Sequence, residues 1–253
     1  VFVAAIFLFL SLLFSAHWPG TWMQFTHIAF VGLLMHAFYL NCTFIALDYG
    51  IPISLAALIY GLQPIITLFI VSFLLHNHIS SAQWAGVFLG FLGLILVLYD
   101  KLAFNEAKLV PVLILVFGLF CITTGTIYQR RFCSAMNLLT GNFIQVFVGG
   151  VVTGIAAFYF ESMIVIWNIS FITALIWMIL IVSLGAHTLL LFMLQQNQVA
   201  KVSSLLYLTP PTASVMAYFM FDELLSALAI AGVGVTVIGV ALIMHGPTKK
   251  QAL

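Results

Sequence analysis

The sequence predicts an all-α integral membrane protein with nine visible transmembrane helices of a 5+5 inverted-repeat bundle. Three observations carry that expectation. Of the 253 residues, 64% are hydrophobic and 5% charged, against roughly 25% charged in soluble domains. The apolar runs are about 20 residues long, which is what about 30 Å of hydrocarbon demands of a helix rising about 1.5 Å per residue. The second half also repeats the first. Ser54-Leu-Ala-Ala-Leu-Ile-Tyr60-Gly-Leu-Gln-Pro64 reads against Lys201-Val-Ser-Ser-Leu-Leu-Tyr207-Leu-Thr-Pro-Pro211, a shift of 147 residues (207 − 60).

The nine segments fall near 1–15, 27–47, 53–75, 82–99, 109–128, 138–160, 172–194, 202–221 and 225–245. Short polar stretches separate them: His76 to Ser81, Asp100 to Lys108, Gln195 to Ala200, and Asp222-Glu223. None leaves room for a soluble domain. The second segment carries His36 at its middle and the seventh carries His187. Subtracting 147 from 187 gives 40, one helical turn beyond 36, so the two histidines lie at matching depths. The third and eighth segments hold Pro64 and Pro211. The fourth and ninth share a glycine face, since Gly86 and Gly93 fall on Gly232 and Gly239 at a shift of 146 (232 − 86). Small residues in helices allow close approach, so that face predicts scaffold packing, with a homodimer seam as the sharper alternative. In the sixth segment, Gly149-Gly150 with Gly154 is a packing feature of the same type.

The shift places Val1 opposite Val148, midway along the sixth segment, so the first half is expected to lack about forty residues at its front: one helix and half of the next. The halves are then 1–104, incomplete, and 105–253. Five helices per repeat, an odd number, put the two halves in opposite orientations, the plan of alternating-access carriers. With the C-terminus inside, Arg130, Arg131, Lys201, Lys249 and Lys250 are cytoplasmic and Lys101 and Lys108 are outside, following the positive-inside tendency. Trp18, Trp22, Trp84 and Trp167 fall at predicted helix ends, where indoles favour the headgroup layer; Trp177 lies inside a helix. Cys42, Cys121 and Cys133 have neither CxxC nor Cys/His spacing and read as small apolar residues, so no metal and no cofactor is expected.

Physical chemistry then points to candidate residues. Pro64 removes a helix hydrogen bond and clashes with the carbonyl of Tyr60, and Pro211 does the same to Tyr207. A freed carbonyl in hydrocarbon must face protein or a water-filled cavity, so kinked helices point to a midplane site. Tyr60, Gln63, Thr67, Ser203, Ser204, Tyr207, Thr209 and Thr212 cluster around the two prolines. The bland alternative is ordinary packing, with hydroxyls bonding back to their own backbone. His36 and His187 have two readings side by side: a proton-coupling or substrate-contacting role, or neutral imidazoles hydrogen-bonded between helices. Asn41, Tyr39 and Gln145 are weaker candidates of the same kind. Asp48, Asp100, Glu106, Glu161, Asp222 and Glu223 fall at helix ends or in loops, which predicts a neutral or zwitterionic cargo held by aromatic and hydroxyl groups, an amino acid or a related compound. The expected contacts are Tyr60, Gln63, Tyr207, Thr209, His36 and His187. No nucleophile–base pair, HExxH or phosphate loop is visible, so the chain is not expected to be an enzyme. A membrane scaffold or assembly protein is the other alternative, and no nucleic-acid partner is expected.

Ala46-Leu-Asp-Tyr-Gly50, running into Ser54-Leu-Ala-Ala-Leu and Gln63-Pro64, then Gln83-Trp84-Ala-Gly86, resembles the first-repeat core of the drug/metabolite transporter superfamily, EamA type. Tyr128-Gln-Arg-Arg131, Val202 to Pro211 and Phe221-Asp-Glu223 are similar to the second-repeat signatures. The resemblance implies a ten-helix carrier, here N-terminally truncated, that moves small metabolites across a bacterial inner membrane, most often outward. It also permits a homodimer. His76-Asn-His78 stands where the family usually has a Gly-Glu pair, which leaves Glu223 alone in that role.

Overall fold

A computed structural model describes residues 2–75, 80–103, 109–162, 164–196, 209–221 and 226–245. Every regular element among them is helical: α1 (Phe2–Leu13), α2 (Trp22–Gly32), α3 (Tyr39–Asp48), α4 (Ile53–Gly61), α5 (Gln63–Leu75), α6 (Ser81–Ala103), α7 (Leu109–Phe132), α8 (Leu138–Phe160), α9 (Ile169–Trp177), α10 (Thr188–Gln195), α11 (Thr209–Phe221) and α12 (Ala227–His245). Two π-helical segments, Leu33–Phe38 and Met178–His187, join α2 to α3 and α9 to α10 without a break. Trp22–Asp48, Ile53–Ile70, Leu109–Phe132, Leu138–Phe160 and Ile169–Met193 are each long and apolar enough to cross a membrane; Phe2–Leu13, Ser81–Val97 and Ala227–Ile243 are shorter apolar helices.

The helix ends follow from local chemistry. Helix starts leave N–H groups without intrahelical acceptors, and short polar side chains fill that need. Asn137 Oδ1 accepts from the Leu139 and Thr140 amides, and Asn168 Oδ1 from Phe171. Ser80 and Gln83 cap each other's amides reciprocally before α6. After α3 the chain turns at Gly50, whose φ of +84° only glycine adopts without strain. The break expected from Pro64 is present: α4 ends at Gly61, and Leu62 separates it from α5. The amides of Ile65 and Ile66 turn back to the Leu62 carbonyl. Pro210 and Pro211 lie in α11, Thr209–Phe221.

The chain forms two compact units that cut across the sequence halves, residues 1–41 with 125–199 and residues 42–124 with 200–253. In the first unit, α8 is the hub against which α1, α2 and the Leu33–Phe38 segment pack. Gly32 and Gly149 make this crossing close. A Cβ on Gly32 would lie 2.6 Å from the Gln145 carbonyl oxygen, and one on Gly149 would lie 2.5 Å from the His36 Cβ. In the second unit α6 lies along α12, and α4 packs on α11. Its core encloses Leu55, Leu58, Ile59, Ile65 and Leu115. The glycine face joins α6 to α12: a Cβ on Gly86 would meet the Gly239 carbonyl at 2.5 Å, and one on Gly93 would meet the Gly232 carbonyl. Position 86 facing 239 while 93 faces 232 makes the two helices antiparallel.

Candidate substrate site

The first unit brings His36 and His187 into contact. Their rings lie edge to face, 4.8 Å apart between centroids at 73°. Both Nε2 atoms are enclosed and have no hydrogen-bond partner among the described residues. His36 belongs to the Leu33–Phe38 π segment and His187 closes the Met178–His187 one. Beside His36 stands Gln145 of α8, whose Nε2 donates to Gln129 Oε1 of α7 at 2.7 Å. That bond leaves Gln145 Oε1 as a buried acceptor with no partner among the described residues. One turn along, Asn41 donates to the Ala37 carbonyl and to Thr153 Oγ1 on α8.

The second unit holds Tyr60, Gln63 and Thr209. The Tyr60 hydroxyl is 2.8 Å from Thr43 Oγ1 and packs over Gly118, where a Cβ would lie 2.7 Å from it. Gln63 opens α5 directly after the break, and its carbonyl accepts from Thr67 Oγ1 at 2.8 Å. Thr209 is the exposed first residue of α11. Tyr207, Ser203 and Ser204 lie outside the described residues, as do His76, His78, Lys108, Lys201, Glu106, Asp222, Glu223, Lys249 and Lys250. Asp48 ends α3, and Glu161, exposed, follows α8.

Two features of this region were not expected from the sequence. The π segments leave no trace in hydropathy. The Gln129–Gln145 bond joins a residue quoted only within Tyr128-Gln-Arg-Arg131 to one weighed alone; two amide side chains near the facing ends of consecutive helices were the available signal. His27 is a third polar contact, with Nδ1 2.7 Å from the Tyr128 hydroxyl. An apolar cavity of about 740 Å³ opens in the first unit between α1 and α8, lined by Ala4, Leu8, Phe147, Gly150 and Phe158 among others. It contains none of the six expected contacts. The cysteines are free and buried, and burial pushes the Cys133 thiol, in the turn after α7, up to about 11.

The sequence matches the EamA-like transporter family over residues 1–99 and 109–245. It is 20% identical over 220 residues to the "Probable amino-acid metabolite efflux pump" of Escherichia coli (strain K12), covering 83% of this chain and 73% of that protein. It is 24% identical over 245 residues to the "Uncharacterized inner membrane transporter YedA" of the same strain, covering 96% of this chain and 78% of that protein. Apolar spanning helices, polar groups buried between them and a match over almost the whole length describe a multi-pass inner-membrane transporter and not an enzyme: the chain belongs to the EamA-like transporter family.

Proposed function

We propose that the protein exports a small neutral or zwitterionic metabolite, an amino acid or a related compound, by alternating access between two inverted repeats, 1–104 and 105–253. The observation that carries the mechanism is the crossing of α6 and α12. By the shift of 146, Gly86 corresponds to Gly232 and Gly93 to Gly239. Swapping equivalents turns the Gly86–Gly239 contact into the Gly232–Gly93 contact, and both are present. A pair that maps onto itself in this way has a local two-fold. Because the helices are antiparallel, that two-fold supports repeats of opposite orientation. The two stretches matching the family, 1–99 and 109–245, divide the chain at the same place.

The cargo class rests on the name of the efflux-pump relative and on the side chains near the helix break and the π segments. Tyr60, Gln63, Tyr207, Thr209, His36 and His187 are the proposed contacts, offering aromatic faces and neutral hydrogen-bonding groups. Cells expressing the protein should grow at severalfold higher concentrations of at least one toxic amino-acid analogue than cells with empty vector. Equal sensitivity across a broad panel of analogues sinks the cargo assignment.

The proposed topology places the C-terminus in the cytoplasm, with His76 to Ser81 on the same side and Asp222-Glu223 outside. Single cysteines at positions 78 and 222, in a background lacking the three native thiols, should label from opposite sides of the membrane. Labelling of both from one side excludes the inverted arrangement.

A further inference from the structure

We propose that His36 and His187 form a single-proton site, in which two rings together hold one proton and never two. It deepens the carrier reading by naming the ion that the central contacts would handle. A neutral imidazole carries one N–H and one lone pair, and its charge can change near neutral pH. Here both Nε2 atoms are enclosed without a partner among the described residues, and the rings touch at 4.8 Å. An added proton therefore has two adjacent nitrogen sites. It also has an acceptor for the resulting N–H: Gln145 is oriented by its donation to Gln129, so its Oε1 remains beside His36 as a lone-pair group. A second proton would place two like charges at ring-contact distance between helices in a low dielectric, which excludes it.

Apart from charges at helix ends, the surroundings leave the charge of the pair to the pair itself. Of the elements packed against the two π segments, α1, α9 and α10 bring no ionisable side chain, α8 brings only Tyr159 near its far end, and α7, whose Gly125 faces Leu34 and Met35, brings Cys121, Tyr128 and, in its last turn, Arg130 and Arg131. From α2 comes His27, already bonded to Tyr128. On α3, which continues the first π segment, lie Tyr39, Cys42 and the terminal Asp48. No carboxylate stands on any of these elements except at a helix end.

Both rings, moreover, sit on the two π segments found among the described residues. Adding 147 to Leu33–Phe38 gives 180–185, inside Met178–His187. The unusual backbone thus recurs at equivalent positions in both halves, and π insertions in helices concentrate at functional sites.

Proton counting tests this without any cargo. The full chain in detergent micelles is titrated from pH 8 to pH 4 beside a His36→Gln, His187→Gln double variant, both checked for monodispersity. The native protein should take up one proton more than the variant. A difference of zero makes the pair inert packing, and a difference of two makes the sites independent; either overturns the proposal. Should the variant fail to fold, ring-nitrogen spectra of the ¹⁵N-histidine native protein in bilayers decide the matter. At pH 4 the two rings should together show one imidazolium, whereas two neutral or two charged rings refute it. Failure here leaves the export reading standing, and failure of the resistance assay leaves the proton count intact.

Discussion

Gly239→Leu should nearly abolish recovery of folded protein, while Gly234→Leu on the same helix should be close to neutral. A Cβ at position 239 would lie 2.5 Å from the Gly90 amide nitrogen and 2.6 Å from the Gly86 carbonyl oxygen. Both are backbone atoms, so no side chain can swing aside. The helices must separate, and the separation opens the whole of the longest helix contact in the second unit, including Gly93 against Gly232. Overpacking against movable side chains costs about 1 to 3 kcal/mol; against fixed backbone the upper end is the floor. At about 3 kcal/mol the apparent melting temperature of a chain this size falls by roughly 10 °C. At Gly234 a Cβ meets nothing within 4 Å. Size-exclusion profiles and thermal midpoints of the two variants compare them directly. Equal stability would mean that α6 and α12 do not cross through these glycines.

Gly149→Leu should be as damaging in the first unit, and Gly150→Leu should be tolerated. The two positions are neighbours in sequence and opposite in surroundings. A Cβ at 149 would lie 2.5 Å from the His36 Cβ and 3.1 Å from the His36 carbonyl carbon, whereas one at 150 meets nothing within 4 Å and points toward the apolar cavity beside α1. Removing glycine from a helix interior gains up to about 1 kcal/mol, so Gly150→Leu should match or slightly exceed the native protein. Gly149→Leu has to push the π segment off α8, which costs stability and also draws His36 away from His187. Its melting temperature should drop by roughly 10 °C, and in whatever fraction remains folded the proton difference of the histidine pair should rise from one toward the two of independent rings. If 149 and 150 behave alike, the crossing of α8 and the Leu33–Phe38 segment is wrong.

The extent to which the fold was legible varied with the kind of signal. Spanning segments were readable because burial in hydrocarbon imposes length and apolarity together; the eighth aside, each of the nine apolar runs is covered by described helix within a few residues. The break after Gly61 was readable because Pro64 lacks an N–H. Glycines announced a close crossing, and the repeat even aligned Gly86 with Gly232, but the partner of Gly86 is Gly239: alignment gives equivalence, and contact depends on helix direction. The π segments were illegible, since one extra residue per hydrogen-bonded ring changes neither composition nor apolar spacing enough to register. For the site, equal depths of His36 and His187 followed from the shift, but ring contact did not, because it depends on the angular facing of two rods whose backbone register had already slipped. Tyr60 was read as a cavity residue from Pro64 and from the recurrence of the pair as Tyr207 and Pro211, and its hydroxyl bonds Thr43, seventeen positions earlier, a pairing with no sequence periodicity to reveal it.

The Gly86–Gly239 and Gly93–Gly232 contacts are related by a rotation of half a turn, so the axis of that rotation passes between α6 and α12. A point on such an axis stays where it is when two equivalent halves trade shapes. In the proposed alternating-access cycle the glycine crossing would be a fulcrum: rocking would tilt the helices about it without having to pry them apart. At Gly239 backbone lies directly on the backbone of Gly86 and Gly90, so at that point such a tilt would have no interdigitated side chains to re-sort.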